Sequence, residues 1–233
     1  MDEKQIFNLF LQDYAKIREA FLAKEKEEDG DIKNTDPLGD KKALAQGISV
    51  RIKNAMLIYP RLDLSQLDDD TSNKPNTVLA VPKDKEVARE VKKAFENAYN
   101  YGISKKKVSG KISIEEMWRR SHPFMPIEGV LPEYLTEEER QERLEGLNNL
   151  IPEDYIILKN VKSGIGKDGK PEVVLRNVDG SLLKDGDMVT MGEMGDVVIN
   201  FGAYTYQKKE GVGRYIQGFK RNSEQSQKAD IWI

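Results

Sequence analysis

Between Asp196 and Arg221 the sequence interleaves aromatic, apolar and basic residues. Successive side chains of a β-strand point to opposite faces, so this alternation predicts a strand that exposes Tyr204 and Tyr206 together on one face. The set expected to face the core is Val197, Ile199, Phe201, Ala203 and Thr205. Flat rings on an exposed strand could stack on the unpaired bases of a single-stranded nucleic acid.

A second run, from Arg214 to Arg221, predicts the return strand of a hairpin, with Gly211–Gly213 as the turn. It places Tyr215, Gln217 and Phe219 on one face. Cations surround the aromatics and would pair with phosphates while the rings stack on bases. These cations, against the single acid Glu210, are Lys208, Lys209, Arg214, Lys220 and Arg221. The alternative is a sheet with ordinary exposed tyrosines.

A second aromatic and basic cluster lies between Ser104 and Pro132, where the sequence has no clear helix or strand period. Its aromatic residues include Trp118 and Phe124. Its cations are Lys105, Lys106, Lys107, Lys111, Arg119 and Arg120, against the acids Glu115 and Glu116. A solubilising loop is the alternative. Two such clusters in a chain of net charge −3 favour a local nucleic-acid surface.

Other motifs do not predict catalysis or a metal or cofactor site. Asp68–Asp70 stands among polar residues and is expected to be a solvated loop. Gly164–Lys167 lacks the full phosphate-binding loop pattern and is expected to be a turn. His122 is the one histidine and there is no cysteine, so a zinc site is not expected. A catalytic site of scattered carboxylates is the remaining enzymatic alternative.

Composition limits the class of protein. The chain of 233 residues is slightly acidic, so it is not a protein that binds nucleic acid through overall positive charge. The absence of cysteine excludes disulfides and is compatible with a reducing cytosol. The first residues, MDEKQIFNLF, do not form a secretory signal, and no segment approaches the length of a membrane span. We therefore expect a soluble intracellular protein with no membrane contact.

The elements that must position these residues divide the chain into four parts. Residues 1–27 are expected to contain an amphipathic helix, 28–46 a polar linker, 47–221 the binding domain and 222–233 a tail. The apolar stripe of the helix, over residues 3–27, is Ile6, Phe10, Tyr14, Ile17 and Phe21. The domain is predicted to be mainly β with inserted helices, with strands at 48–59, 77–81, 155–161 and 173–178 before the hairpin. Helices are expected after the N-cap Asp84, ending at Gly102, and after the capping box of Thr136 and Glu139.

Several segments follow one another in a recognisable order along residues 48–221. They are Ala55–Pro60, Val78–Lys83 leading into a helix, a long insertion, Tyr155–Lys159, Lys170–Val174, Val197–Tyr206, and Gly211–Gly213 with Tyr215–Phe219. This order resembles the OB-fold single-stranded DNA-binding proteins encoded by tailed phages. The resemblance implies an elaborated β-barrel that coats transient single strands during phage replication and recombination, in the cytoplasm of a bacterial host. It does not account for the N-terminal helix, and the tail 222–233 is only weakly acidic.

The expected function is non-enzymatic, sequence-tolerant binding of single-stranded DNA on the open face of such a barrel. The candidate stacking residues are Tyr59, Trp118, Phe124, Tyr204, Tyr206 and Tyr215. The candidate phosphate contacts are Arg51, Lys53, Lys105, Lys106, Lys107, Arg119, Arg120, Lys208, Lys209, Arg214 and Arg221. Residues 3–27 or 230–233 could mediate self-association or contact a replication partner. The rival functions are an oligomeric scaffold without DNA binding and a magnesium-dependent DNA-processing enzyme.

Overall fold

A computed structural model of the chain describes residues 47–62, 76–162, 173–183 and 189–223. All of them belong to one compact unit, Thr35–Ile233. Five sequence predictions lie outside these ranges: the N-terminal helix, the linker, the loop at Asp68–Asp70, the glycine-containing turn at Gly164–Lys167 and the role of residues 230–233.

The described part of the chain is mainly β, with helices inserted between the strands, as the sequence predicts. Its strands are β1 Ser49–Arg61, β2 Asn76–Pro82, β3 Phe124–Met125, β4 Tyr155–Lys162, β5 Val174–Arg176, β6 Met194–Tyr206 and β7 Lys209–Arg221. Its helices are α1 Lys85–Ser104, α2 Ile114–Arg120 and α3 Glu137–Leu150, with a 3₁₀ turn at Ile127–Val130.

The strands form one sheet in the order β3-β4-β2-β1-β6-β7-β5. Neighbours from β3 to β7 pair antiparallel, whereas β5 runs parallel to β7. A further parallel contact joins β4 to β7, where Lys162 pairs with Tyr215. The order of strands in the sheet differs from their order in the chain. The hairpin β6–β7 lies between β1 and β5.

Strand β1 is buried on both faces because it separates two apolar clusters. A bulge between Ile52 and Ala55, where Asn54 has φ 54°, changes which face each later residue occupies. Val50 and Ile52 therefore pack in a cluster with α1 and β6, and Ile58 packs in a second cluster with α3. Because of this bulge, Val50 and Ile52 do not share a face with Ile58.

Both predicted helix starts are confirmed by their caps. The Asp84 side chain accepts a hydrogen bond from the Glu86 amide at 2.6 Å. Thr136 and Glu139 form the reciprocal capping box of α3. Helix α1, however, does not end at Gly102 but continues to Ser104. Glycine is needed there for another reason, since a Cβ would collide with the Ala203 side chain on β6.

Helix α2 was not predicted, because its seven residues are too short to show a helical period. Its N-cap is Ser113, whose side chain accepts from the Glu116 amide at 3.2 Å. Met117 is its buried residue and packs in the cluster that contains α1. The second aromatic and basic cluster is therefore carried in part by an ordered helix rather than by a loop alone.

Candidate nucleic-acid interface

The hairpin β6–β7 is confirmed, but its turn lies elsewhere than the sequence suggests. The two strands pair from Tyr206 opposite Lys209 to Gly195 opposite Arg221, with one register shift near the middle. Gln207 and Lys208 therefore form a two-residue turn, and both have positive φ, 47° and 63°. Positive φ at both central residues is typical of a type I′ turn, whose twist matches that of paired strands. Placing the turn at Gly211–Gly213 was wrong, since those residues lie within β7.

The register puts three tyrosines on one exposed face of the hairpin. Tyr204 lies opposite Gly211, and Tyr215 lies opposite Asn200. Because cross-strand partners point to the same face, Tyr204, Tyr206 and Tyr215 share the face with the glycines of β7. Their exposures are 44%, 67% and 37%. We call these three residues the tyrosine face.

Glycines underlie two of these rings. A Cβ on Gly211 would lie 2.7 Å from Tyr204 Oη and 2.8 Å from Tyr204 Cζ. A Cβ on Gly213 would lie 2.9 Å from Tyr215 Oη, and one on Gly202 would lie 3.4 Å from Tyr215 Cε2. Both rings thus lie close along the backbone of glycines, which leaves their outer sides facing solvent. The glycines that the sequence suggests for a turn serve instead as the surface on which the rings rest.

A β-bulge in β7, just after Tyr215, ends the tyrosine face. Val198 pairs with Gly218 and Ile199 with Ile216, so Gln217 is an extra residue in β7. The predicted common face of Tyr215, Gln217 and Phe219 is therefore wrong. Phe219 is fully buried in the core, and only Tyr215 of this group is exposed.

The lysine-rich loop after α1, residues 105–111, is attached to the tip of the hairpin. Ser109 donates its amide to Glu210 Oε1 at 2.5 Å. Thr205 Oγ1 donates to the carbonyl oxygen of Lys107 at 2.7 Å. An open cavity of about 410 Å³ lies between the loop and the hairpin, lined in part by Lys106 and Lys107. Thr205 and Glu210 point to the face opposite the tyrosines, so the loop lies at the hairpin tip on the side away from the tyrosine face. Lys105, Lys106 and Lys107 are exposed there, and Lys208 and Lys209 are exposed at the same tip.

Three other candidate stacking residues are packed against the interior. The Trp118 ring meets Phe95 edge-on at 4.9 Å and His122 at 5.0 Å. Phe124 is half-buried against the same cluster. Tyr59 packs against the second cluster, where burial raises the pKa of its hydroxyl and leaves that hydroxyl without a hydrogen-bond partner. The structure does not bring these three rings onto the tyrosine face.

Arg119 and Arg120 are exposed on α2, but both already have a carboxylate partner. Arg119 donates two hydrogen bonds to Glu116 at 2.8 Å each, and Arg120 donates one at 2.6 Å. These hydrogen bonds lower the pKa of Glu116 to about 2. Glu116 therefore stays ionised at any physiological pH and partly neutralises the two guanidinium groups.

Arg51, Lys53 and Arg221 lie towards the other end of the hairpin. Arg51 pairs with Asp196 at 2.8 Å, and Asp196 precedes Tyr204 by eight residues, about 27 Å along a strand. Arg221 donates to both oxygens of the buried Glu193, at 2.7 and 3.1 Å. Both guanidinium groups thus stabilise the end of the sheet remote from the hairpin tip, whereas Lys53 is exposed on β1.

Two lysines near the tyrosine face were missed by sequence reasoning. Lys162 ends β4, is exposed and pairs in register with Tyr215. Lys162 therefore lies next to Tyr215 where β4 and β7 meet. Burial lowers the pKa of Lys159 on β4, and the charge of Arg214 on β7 lowers it further. No local signal could have identified either residue, because the β4–β7 contact joins segments about fifty residues apart.

The Tyr215 hydroxyl is protonated at neutral pH. Burial raises the pKa of Tyr215, Tyr204 adds to that rise, and Arg214 opposes it. The Tyr215 ring is therefore an uncharged stacking surface. The described ranges contain no cluster of three or more His, Asp or Glu residues suited to a metal ion. Within the same ranges no helix is long and apolar enough to cross a membrane.

Solved structures with a similar chain course are phage single-stranded DNA-binding proteins. The protein from bacteriophage Enc34 gives a TM-score of 0.46 at 11% identity, over 83% of this chain and 93% of that chain. The Enc34 protein in complex with single-stranded DNA gives 0.42 at 10% identity, over 80% and 95%. The protein encoded by bacteriophage T7 gives 0.42 at 12% identity, over 79% and 97%. No family model and no curated protein sequence matches the chain.

Proposed function

We propose that this protein binds single-stranded DNA without sequence preference and without catalysing a reaction. The observation that carries the proposal is the tyrosine face, three exposed rings on one face of a hairpin. Aromatic rings stack on any base because every base has a π-face, and lysines contact the phosphates without reading sequence. The exposed lysines at the hairpin tip and Lys162 supply those contacts.

The spacing of the rings favours single strands over duplex. Tyr204 and Tyr206 are two residues apart, which corresponds to about 7 Å along a strand. Bases in a duplex strand are about 3.4 Å apart, so adjacent bases must separate before they can stack on successive rings. A duplex keeps its bases stacked on each other and could offer the hairpin only its phosphates.

We also propose that the sheet closes into an OB-type barrel. The β4–β7 contact supports closure, because the order β4-β2-β1-β6-β7 then returns to β4. Closure would bring Lys162 and Tyr215 onto one continuous surface. On this proposal the chain coats transient single strands in phage replication and recombination, in the host cytoplasm. Residues 3–27 or 230–233 would mediate self-association or contact a replication partner.

The proposal is tested by titrating labelled single-stranded and duplex oligonucleotides at two salt concentrations, with fluorescence anisotropy as the readout. We expect tighter binding to the single strand. Replacing Tyr204 and Tyr206 with Ala should weaken single-strand binding by about 1–3 kcal/mol per ring, because both side chains are exposed and contribute little to folding. Tyr134→Ala is the matched control, since Tyr134 is 83% exposed but lies next to α3, away from the hairpin.

Four results would contradict the proposal. Equal affinity for single strands and duplex would assign binding to the lysines alone. Normal binding by the folded double variant would exclude the tyrosine face as the stacking surface. No salt-dependent binding at all would favour the scaffold function, and magnesium-dependent cleavage of the oligonucleotides would favour the enzyme.

A further inference from the structure

A row of paired residues crosses four strands at Tyr215 of β7. Tyr215 lies opposite Asn200 of β6 on one side and opposite Lys162 of β4 on the other. Asn200 lies in turn opposite Ser49 of β1, which is buried. Neighbouring strands are about 4.8 Å apart, so the backbones at Lys162 and Asn200 flank that of Tyr215 at short distance. We call Lys162, Tyr215 and Asn200 the Tyr215 row.

Asn200 is the polar member of this row on β6. Both of its neighbours along the strand, Ile199 and Phe201, are fully buried in the core, so its own side chain points away from the core. Cross-strand partners share a face, which places Asn200 on the same side of the sheet as Tyr215. The residue is partly exposed, and its carboxamide forms no hydrogen bond with the described residues. Asparagine is a poor strand former, so the fold gains little from it here.

The Tyr215 ring leaves Asn200 uncovered because it leans towards the hairpin tip. A Cβ on Gly213 would lie 2.9 Å from Tyr215 Oη, and one on Gly202 would lie 3.4 Å from Tyr215 Cε2. Gly202 and Gly213 are themselves paired, so the ring rests on the pair that follows the Asn200–Tyr215 pair. A base stacked on this ring therefore has Asn200 at its edge rather than beneath it.

The other end of the tyrosine face has the same order of cation and ring. Lys209 of β7 lies opposite Tyr206 of β6, and both are exposed. At each end the lysine thus lies on the side of the tyrosine that is farther from β1, Lys162 for Tyr215 and Lys209 for Tyr206. Neither lysine has an ion-pair partner among the described residues. Tyr206 and Asn200 are six residues apart, about 20 Å along a strand, so the two lysines would contact different phosphates.

We propose that the single strand lies with its phosphates on the β7 side of the hairpin and its bases towards β6, and that Asn200 hydrogen-bonds the edge of the base stacked on Tyr215. A nucleotide has its phosphate at one end and its base edge at the other. The Tyr215 row offers the matching order, an ammonium group, a ring and a carboxamide. A carboxamide both donates and accepts, and unpaired bases expose donors and acceptors on their edges, so Asn200 would contact any base. This inference rests on the proposed function.

The first experiment separates contacts to bases from contacts to phosphates. Binding is measured for a thymidine oligonucleotide and for a strand of equal length whose sugars carry no bases, each at several salt concentrations. Asn200→Ala should weaken binding of the thymidine strand roughly three- to tenfold, as expected for one lost hydrogen bond. It should leave binding of the abasic strand and the salt slope unchanged, because it removes no phosphate contact. Asn149→Ala, an exposed carboxamide on α3, is the matched control.

Lys162→Gln should have the opposite signature. It should weaken binding of both strands alike and reduce the slope of log K against log salt by about 0.7, the value for one phosphate contact on single strands. Lys93→Gln, which removes the same charge from an exposed position on α1, should leave the slope unchanged. A purely structural role of either residue in the row would not separate bases from phosphates in this way.

The second experiment needs no variant, so it stands even where Asn200→Ala fails to fold. The side-chain amide resonances of Asn200 are followed by NMR during titration of the unmodified protein. They should shift with the thymidine strand and stay unchanged with the abasic strand, since only the former has a base edge to contact. The side-chain amide of Asn149 should respond to neither strand.

The outcomes separate this inference from the proposed function. An unmodified protein that binds neither strand would contradict the proposed function, and the inference with it. Normal binding of the thymidine strand, together with an Asn200→Ala effect that is absent or equal on both strands, would overturn the base contact alone. An unchanged salt slope in Lys162→Gln would overturn the placement of the phosphates on the β7 side, while single-strand binding itself would stand.

Discussion

At the scale of single residues, Gly211 and Gly213 allow the rings of Tyr204 and Tyr215 to lie close to the backbone of β7. Gly211→Ala and Gly213→Ala should each leave the fold intact, because the colliding atoms belong to exposed rings that can move. The displaced ring should lose part of the 1–3 kcal/mol, roughly, that stacking on one base contributes. Thermal unfolding and anisotropy titration check both expectations. Gly146→Ala is the control, since nothing lies within 4 Å of its added Cβ. A variant that unfolds, or that binds DNA normally, would contradict this role.

Glu116 pairs with Arg119 and Arg120, so its replacement tests whether these two arginines can bind DNA. Its pKa falls from an ordinary 4.5 to about 2, so its ion pairs form fully above the ordinary value and are lost only as pH falls towards 2. Between pH 5 and 8 we therefore expect Arg119 and Arg120 to remain paired. Glu116→Gln should release them, tighten single-strand binding and steepen the salt slope by about 0.7 per added contact. Glu90→Gln, an exposed acid on α1, controls for net charge. Equal effects of both variants would show that only overall charge matters.

At the scale of elements, the lysine loop and the hairpin tip act together because Ser109 and Thr205 fix one to the other. Neutralising Lys105, Lys106 and Lys107 to Gln should weaken binding to every oligonucleotide alike, since phosphate contacts carry no sequence information. Salt slopes measured on two unrelated sequences check this. The matched control neutralises three exposed cations at the start of the same helix, Lys85, Arg89 and Lys93. An unchanged salt slope in the variant without Lys105, Lys106 and Lys107 would show that the loop contacts no phosphate and serves only solubility.

The same elements show what the sequence could and could not predict. The strands, both helix caps and the exposure of Tyr204 and Tyr206 follow from local patterns, which act over a few residues. The turn was misplaced because glycine in a strand and glycine in a turn look alike in sequence, and only cross-strand pairing shows that Gly211 supports a ring. Bulges at Asn54 and Gln217 reversed the faces of later residues, and no local signal marks them. The position of Lys162 next to Tyr215 depends on a contact between distant strands and could not be predicted.

At the scale of the whole molecule, the charge distribution explains how an acidic chain could bind a polyanion. Net charge is −3, yet the exposed lysines of the loop and turn lie at one end of one hairpin. Binding should therefore depend on orientation, with the rings meeting bases and the cations meeting the phosphates between them. A protein with evenly spread charge would not show a salt slope that falls with three lysines alone.

The domain and the two ends of the chain are expected to have different roles. The stripe of Ile6, Phe10 and Phe21 and the apolar end at Ile231–Ile233 would be costly to leave in water, because a large apolar side chain gains about 1.5–3 kcal/mol on burial. All residues of the proposed interface lie between 47 and 223. A truncated chain covering residues 44–222 should therefore keep most of its single-strand affinity per site but lose self-association or cooperativity. Light scattering after size-exclusion chromatography and titration on long single strands measure the two properties separately. If both chains are monomers and bind long strands alike, self-assembly through the ends is wrong, and only contact with a different partner protein would remain for them.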